Sequence, residues 1–310
     1  MKTVIITGGN RGLGVECARV LAQNKDWHIV IACRDPQHAQ PAVNQLRERS
    51  GSQQIEAREL DLASLKSINT FVDEFQKSDL PPLGALVCNA GLQVVSGTQR
   101  TQDGFEMTFG VNHLGHYLLV NQLLACLTPP ARIVFVSSGT HDPAMKTGMG
   151  DPAYTDARRL AYPTENDGAD PLRVGRVRYT TSKLANVFAT YELARRLETK
   201  QIKGITVNAF DPGMMPGTGL ARDYNPFVRL AWKYLLPLLT YFGTGARRVE
   251  DSGAALARLV LDPQLAGTTS KYFSGMKIIP SSLESYDQAK AKELWETSAG
   301  LVGLARNLRL

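Results

Sequence analysis

The sequence predicts one α/β domain over residues 1–310, a doubly wound parallel sheet of about seven strands with helices on both faces. Short, nearly all-apolar runs alternate with longer helical patterns, as strands covered by helices on both sides require. A glycine-rich turn, Thr7-Gly8-Gly9-Asn10-Arg11-Gly12-Leu13-Gly14, joins the first run to the first helical stretch.

The strand runs are Val4–Thr7, Ile29–Cys33, Ile55–Leu60, Ala85–Cys88, Ile133–Ser137 and Ile205–Phe210, with a seventh near Lys271–Phe273. Helical stretches lie near 12–24, 36–50, 64–78, 103–127, 180–200 and 246–261. The third is the best marked: Leu65, Ile68, Phe71, Val72 and Phe75 share one helical face, and Asp61 to Ser64 supply capping groups before it. Two stretches interrupt the alternation, 139–178 and 213–245. Both follow carboxyl ends of strands, where open α/β sheets bind ligands, so they are expected to wall a substrate site.

Composition narrows the class. Apolar residues make up 43% and charged residues 21%, which excludes a disordered or collagen-like chain. The net charge of +6 is scattered, as in Arg195-Arg196 and Arg247-Arg248, and suits an anionic cofactor at least as well as nucleic acid. Cys17, Cys33, Cys88 and Cys126 show no C-x-x-C spacing and are expected to be reduced thiols of a cytoplasmic protein. The first residues begin a strand at once, with no leader-like apolar region expected, and no apolar run reaches 18 residues.

Glycines between a strand and a helix let the backbone approach a pyrophosphate at the helix N-terminus. Gly8, Asn10, Arg11, Gly12, Leu13 and Gly14 are therefore candidate dinucleotide contacts. The spacing G-x-x-x-G-x-G differs from the commoner G-x-G-x-x-G. After the second strand, Arg34 lies about 20 residues beyond Gly14, where an arginine accommodates a 2′-phosphate. Arg11 and Arg34 together favour NADP(H) over NAD(H), and the acidic Asp35 beside them argues the other way.

Thr7–Gly14, Asn89-Ala90-Gly91, Ser137-Ser138 and Tyr179-Thr180-Thr181-Ser182-Lys183, in that order, resemble the short-chain dehydrogenase/reductase family. The resemblance implies a Rossmann-type fold, with Ser138, Tyr179 and Lys183 catalytic and Asn112 as the fourth member. It implies that Asp61, with Leu62, contacts the adenine and that Asn89 steadies the sheet beside the cofactor. It also extends the cofactor contacts to Ala90, Gly91, Tyr179, Lys183, Pro212, Gly213 and Thr218. Leu86–Ala90, Asn112–His116 and Ala32–Arg34 are similar to both retinol dehydrogenases and light-dependent protochlorophyllide reductases. Ser252-Gly253, Leu261-Asp262-Pro263 and Ala289–Ala305 look more like the latter. Those reductases usually carry a cysteine after the Pro-Gly, where this chain has Met214.

The chemistry of these residue types supports the assignment. A tyrosine is a weak acid–base group at its ordinary pKa of about 10, and a nearby ammonium favours the phenolate. The i, i+4 spacing puts Lys183 on the helical face of Tyr179. Ser138 can hold a substrate oxygen, and Asn112 can position a water between Lys183 and solvent. A non-catalytic cofactor sensor would dispense with Tyr179 or Lys183, and both are present. The expected reaction is hydride transfer between nicotinamide and a lipophilic carbonyl/alcohol substrate. Reduction of a carbon–carbon double bond in a large apolar ligand stays open. Met214, Met215 and the apolar segment 227–242 are expected to face an apolar substrate, the segment as a lid or as a membrane-surface helix. His113 and His116 alone do not make a metal site, and none is expected.

Overall fold

In a computed structural model, the structure describes residues 1–164, 170–215, 223–224, 230, 246–305 and 310. The apolar runs become β1 (Lys2–Thr7), β2 (Trp27–Cys33), β3 (Ile55–Glu59), β4 (Leu83–Cys88), β5 (Leu127–Val136), β6 (Ile205–Asp211) and β7 (Lys271–Ser274). Their order in the sheet is β3-β2-β1-β4-β5-β6-β7, and an eighth strand, β8 (Lys277–Ile279), pairs antiparallel with β7. The sheet thus has eight strands where the sequence predicts about seven. β8 is three residues long and mostly exposed, too short for a readable run.

Helices cover both faces. On one side α1 (Gly12–Leu21), α2 (Pro36–Ser50) and α8 (Val249–Leu261) bury Leu13, Cys17, Val43, Leu46, Leu256 and Val260 against the sheet. On the other, α3 (Leu65–Gln76), α5 (Gly115–Leu123), α7 (Pro171–Thr199) and α9 (Gln288–Leu301) enclose Phe71, Tyr117, Phe188 and Trp295. The short helices α4 (Met107–Phe109) and α6 (Ala157–Ala161) complete this layer. The strand order reverses between β1 and β4, so a crevice opens above their carboxyl ends.

Two expected helices have different boundaries, and one further helix forms, for identifiable reasons. The helix expected over 103–127 is α4, a π-helical turn at Gly110–Leu114, then α5, followed by a β5 that already begins at Leu127. The helix expected from residue 180 starts at Pro171, where Asp170 accepts the amide of Leu172 and a proline occupies the first turn. Eight of the residues added on its N-terminal side, 171–178, come from the stretch 139–178. α9 forms behind an Asp287 cap that accepts from Ala289 and Lys290. Of the stretch 213–245, Thr218 and nearly all of 227–242 lie outside the described residues.

α1 and α8 cross closely. A Cβ on Gly253 would stand 2.4 Å from Glu16 Cβ and 2.8 Å from the Glu16 carbonyl carbon. Gly253→Val should therefore cost about 1–3 kcal/mol by overpacking, more than the fraction of about 1 kcal/mol that removing a helical glycine returns. Gly300→Ala in α9 meets nothing within 4 Å and should hold or slightly raise the melting temperature. Thermal melts of the two variants that coincide would contradict this packing.

Candidate active site

The turn after β1 is shaped by backbone that favours glycine, with φ of +64° at Gly8 and +55° at Gly12. It is stitched to the end of β4. Thr7 Oγ1 accepts the amides of Asn89 and Ala90, each at 2.9 Å, and Asn89 Nδ2 donates to the carbonyls of Thr7 at 2.8 Å and Gly8 at 3.3 Å. The same hydroxyl meets His116 Nε2 at 2.8 Å, while His116 Nδ1 lies 3.1 Å from the Asn112 carbonyl. Nδ1–H must donate to that carbonyl, so Nε2 accepts from Thr7. Burial pushes the His116 pKa down to about 4, which keeps this ring neutral.

α1 begins with Arg11 in extended backbone, with no side-chain cap and no acidic residue in its first turn. Its orphan N–H groups are left to an anion. Arg11 and Arg34 are exposed on either side and make no ion pair among the described residues. Asp35 turns away from them. It caps α2 by accepting the amide of His38 at 3.0 Å, and its other oxygen meets the His38 ring; these bonds hold its pKa below the usual carboxylate range. Asp61 Oδ1 accepts from Ala63, and the Leu62 carbonyl would lie 2.6 Å from a Cβ on Gly115. Leu62 is thereby clamped against α5 near the π turn.

The reacting end gathers at the carboxyl end of β5. Tyr179 is 6% exposed, with Ser138 near enough to favour its ionisation; Lys183, 3% exposed, holds its Nζ 5.5 Å from the Tyr179 ring centroid. Nζ donates to the Val136 carbonyl at 3.2 Å. A Cβ on Gly91 would be 3.4 Å from both Lys183 Nζ and Asn112 Oδ1, so glycine leaves room where these groups meet. Asn112 sits in the π turn. Its Nδ2 donates to Leu92 O and Ser182 Oγ, each at 2.9 Å, and its Oδ1 accepts from Leu92 N at 2.8 Å. Both amide hydrogens are committed, one to the loop at Leu92 and one to Ser182 of α7, which leaves only Oδ1 to face a water or the ammonium.

The charges differ from the simple picture of an ammonium drawing out a phenolate. Burial raises the Tyr179 pKa first, the charge of Asp211 raises it further, and the Ser138 hydrogen bond opposes them. Burial pushes Lys183 down to about 8, with Asp211 acting the other way. Tyr179 is consequently a neutral phenol, a proton donor, across ordinary pH.

Two residues in this site carry no motif. Asp211, 5% exposed at the end of β6, accepts from Gly213 N at 2.9 Å and Ser274 Oγ at 3.1 Å. Its Oδ2 lies 3.5 Å from the position of a Cβ on Gly139, next to Ser138. His141 places Nδ1 2.7 Å from the Ser138 carbonyl, and its Nε2 accepts the Ser282 amide at 3.1 Å. One neutral tautomer satisfies both bonds, and it ties the serine turn to the chain beyond β8. The only available signals were an acid before Pro212-Gly213 and a histidine three residues after Ser138. Pro212 is fixed through its carbonyl by Ser252 Oγ at 2.8 Å, and Gly213 adopts φ +79° against Arg247. His113 stacks on Phe109 and bonds Ser298 Oγ at 3.1 Å, as a packed histidine does.

A family model described as short chain dehydrogenase matches residues 2–155, and one described as AcuH dehydrogenase domain matches 221–308. Protochlorophyllide reductase A of Oryza sativa subsp. japonica is 36% identical over 97% of this chain and 80% of its own length. The protochlorophyllide reductase of Avena sativa is 35% identical over 97% of this chain and all of its own. Among solved structures, an uncharacterised protein of Mycobacterium paratuberculosis superposes with a TM-score of 0.68 at 28% identity, covering 98% of this chain and 94% of that one. A structure from Shigella flexneri 2a, described as a short chain dehydrogenase complexed with NADP, has a TM-score of 0.62 at 16% identity, over 89% and 97% of the two chains, and shows the shared fold. The chain belongs to the short-chain dehydrogenase/reductase family and is similar to protochlorophyllide reductases over nearly its whole length.

Proposed function

We propose that the chain is an NADP(H)-dependent oxidoreductase that moves a hydride between nicotinamide and a lipophilic carbonyl/alcohol substrate, with Tyr179 handling the proton. The observation that carries this reading is the buried Tyr179–Lys183 pair with the half-buried Ser138, in a chain whose first helix starts uncapped. The dinucleotide fits the residues present. Open N–H groups suit its pyrophosphate, and Arg11 and Arg34 suit a 2′-phosphate once Asp35 is spent on capping. The NADP held by the Shigella neighbour supports the same cofactor.

When bound, the nicotinamide supplies or takes the hydride. Ser138, close enough to Tyr179 to favour its ionisation, offers with it two hydroxyls to a single substrate oxygen. The neutral phenol gives its proton to that oxygen as charge develops there. Lys183 stands behind it as the next proton carrier, with Asn112 Oδ1 at its side. Burial of the group excludes competing water. The similarity to protochlorophyllide reductases favours a second reading, reduction of a carbon–carbon double bond in a large apolar ligand. There the same phenol would protonate carbon, and Met214, a thioether with no proton to give, stands where those reductases usually have a thiol.

Tyr179→Phe should cut turnover by about 10²–10⁴ while NADPH affinity, read by fluorescence titration, stays within about twofold. Retained turnover would remove Tyr179 from this role. Arg34→Ala should weaken NADPH binding about ten- to a hundredfold and leave NADH binding unchanged; a wild type that prefers NADH sinks the assignment.

Reduction consumes a proton, and Lys183 holds its proton only below about pH 8. The reductive rate should therefore be level on the acid side and decline above about pH 8. A rate that rises through that range would contradict the relay.

A further inference from the structure

The loop after Gly91 is held on three sides. Asn112 braces it at Leu92 from below. α7 presses on it so closely that a Cβ on Gly175 would fall 2.1 Å from the Val94 carbonyl oxygen. Asp223 Oδ2 accepts the amides of Val95 at 2.7 Å and Ser96 at 3.1 Å, together with Ser96 Oγ at 2.9 Å. Within this rigid loop Gln93 is 2% exposed, between the buried Leu92 and Val94. A polar side chain in such surroundings is costly unless both ends of its amide are satisfied.

Only one end is. Gln93 Oε1 accepts from the Tyr224 hydroxyl at 3.3 Å, and Gln93 Nε2 is buried with no partner among the described residues. Tyr224 Oη accepts in turn from Arg176 Nε at 3.4 Å, and the Arg176 guanidinium lies over the Tyr224 ring, 5.7 Å from its centroid. Because Tyr224 accepts from the arginine, its own hydrogen goes to Gln93, which sets the amide with its N–H groups away from Tyr224. The chain Arg176 to Tyr224 to Gln93 starts at a fixed positive charge and polarises the amide donor at its far end. It also sits at the reacting centre. Arg176 and Tyr179 are three residues apart on one face of α7, and Tyr224 is near enough to Tyr179 to oppose its ionisation.

We propose that Gln93 reads the substrate: its side-chain amide donates a hydrogen bond to a carbonyl or carboxylate oxygen remote from the carbon that exchanges hydride. This rests on the active site described under the proposed function. It refines the substrate class to an apolar body carrying a second oxygen acceptor. A site built to bond that oxygen rejects an analogue lacking it, because the buried amide is then left unpaired.

The probes are 2-naphthaldehyde and 6-formyl-2-naphthoate, which share an aldehyde and an apolar body and differ in one distal carboxylate. Binding is read by fluorescence with NADP⁺ present, and turnover by consumption of NADPH. The wild type should favour the carboxylated probe about tenfold or more. Gln93→Met, of similar length but without donors, should abolish that ratio through KM and not kcat, and its melting temperature checks the fold. Should that variant not fold, Gln93→Glu keeps the acceptor that Tyr224 uses and should turn the preference against the carboxylate. No preference in the wild type, or a preference that survives both substitutions, overturns the proposal. Binding preference without NADPH consumption by either probe supports the subsite and counts against the carbonyl chemistry instead, so the two readings fail separately.

Discussion

The hydroxyl of Thr7 accepts two amides from the end of β4 and gives its hydrogen to His116, whose other nitrogen holds the carbonyl of Asn112. That oxygen has no bonding capacity left over. Through it the glycine-rich turn, the central crossover of the sheet and the π turn are fixed relative to one another. Where the pyrophosphate is expected and where the proton chemistry is expected thus depend on one fully buried side chain. The other contacts of the site extend this frame: Asn112 reaches to Leu92 and Ser182, and Ser182 reaches to the Tyr179 carbonyl at 2.7 Å.

The electrostatics of the site are those of burial. Tyr179 and Lys183 are both pushed toward their neutral forms, and the carboxylate of Asp211 acts on them in opposite directions, since it favours the ammonium and disfavours the phenolate. Its charge therefore favours a proton on each group, a neutral phenol and a charged ammonium. Asp211 itself is held by Gly213 and Ser274, so this bias is built into the end of β6.

The strands were legible because parallel strands buried on both faces must be apolar throughout, and β1, β2, β4 and β6 appear close to where the runs lie. The interruption around Asn112 was not. Apolar residues continue through Gly110–Leu114, and periodicity cannot register one extra residue per turn in a segment buried on all sides. The candidate site residues were readable as a set of motifs, because each member is a particular residue type at a particular spacing. Asp211, His141 and Gln93 were not, since their importance lies in what surrounds them: a carboxylate, an imidazole and an amide brought to one cleft from separate parts of the chain. Asp35 shows the reverse case. Its identity argued about the cofactor, but its carboxylate is occupied with the start of α2.

An open sheet of eight strands has two rims whose backbone groups are unpaired, and such rims invite pairing with other chains. This molecule guards them differently. β3 presents Glu56, Arg58 and Glu59 among its five residues, which makes an approaching strand bring charge against charge. On the far side the chain folds back after Gly275 and lays down β8, a three-residue strand that begins with Lys277. So brief a rim gives a foreign strand too few hydrogen bonds to hold. The small hairpin that escapes the periodic pattern thus serves the colloidal behaviour of the protein, keeping a long, strongly apolar sheet from propagating beyond its own chain.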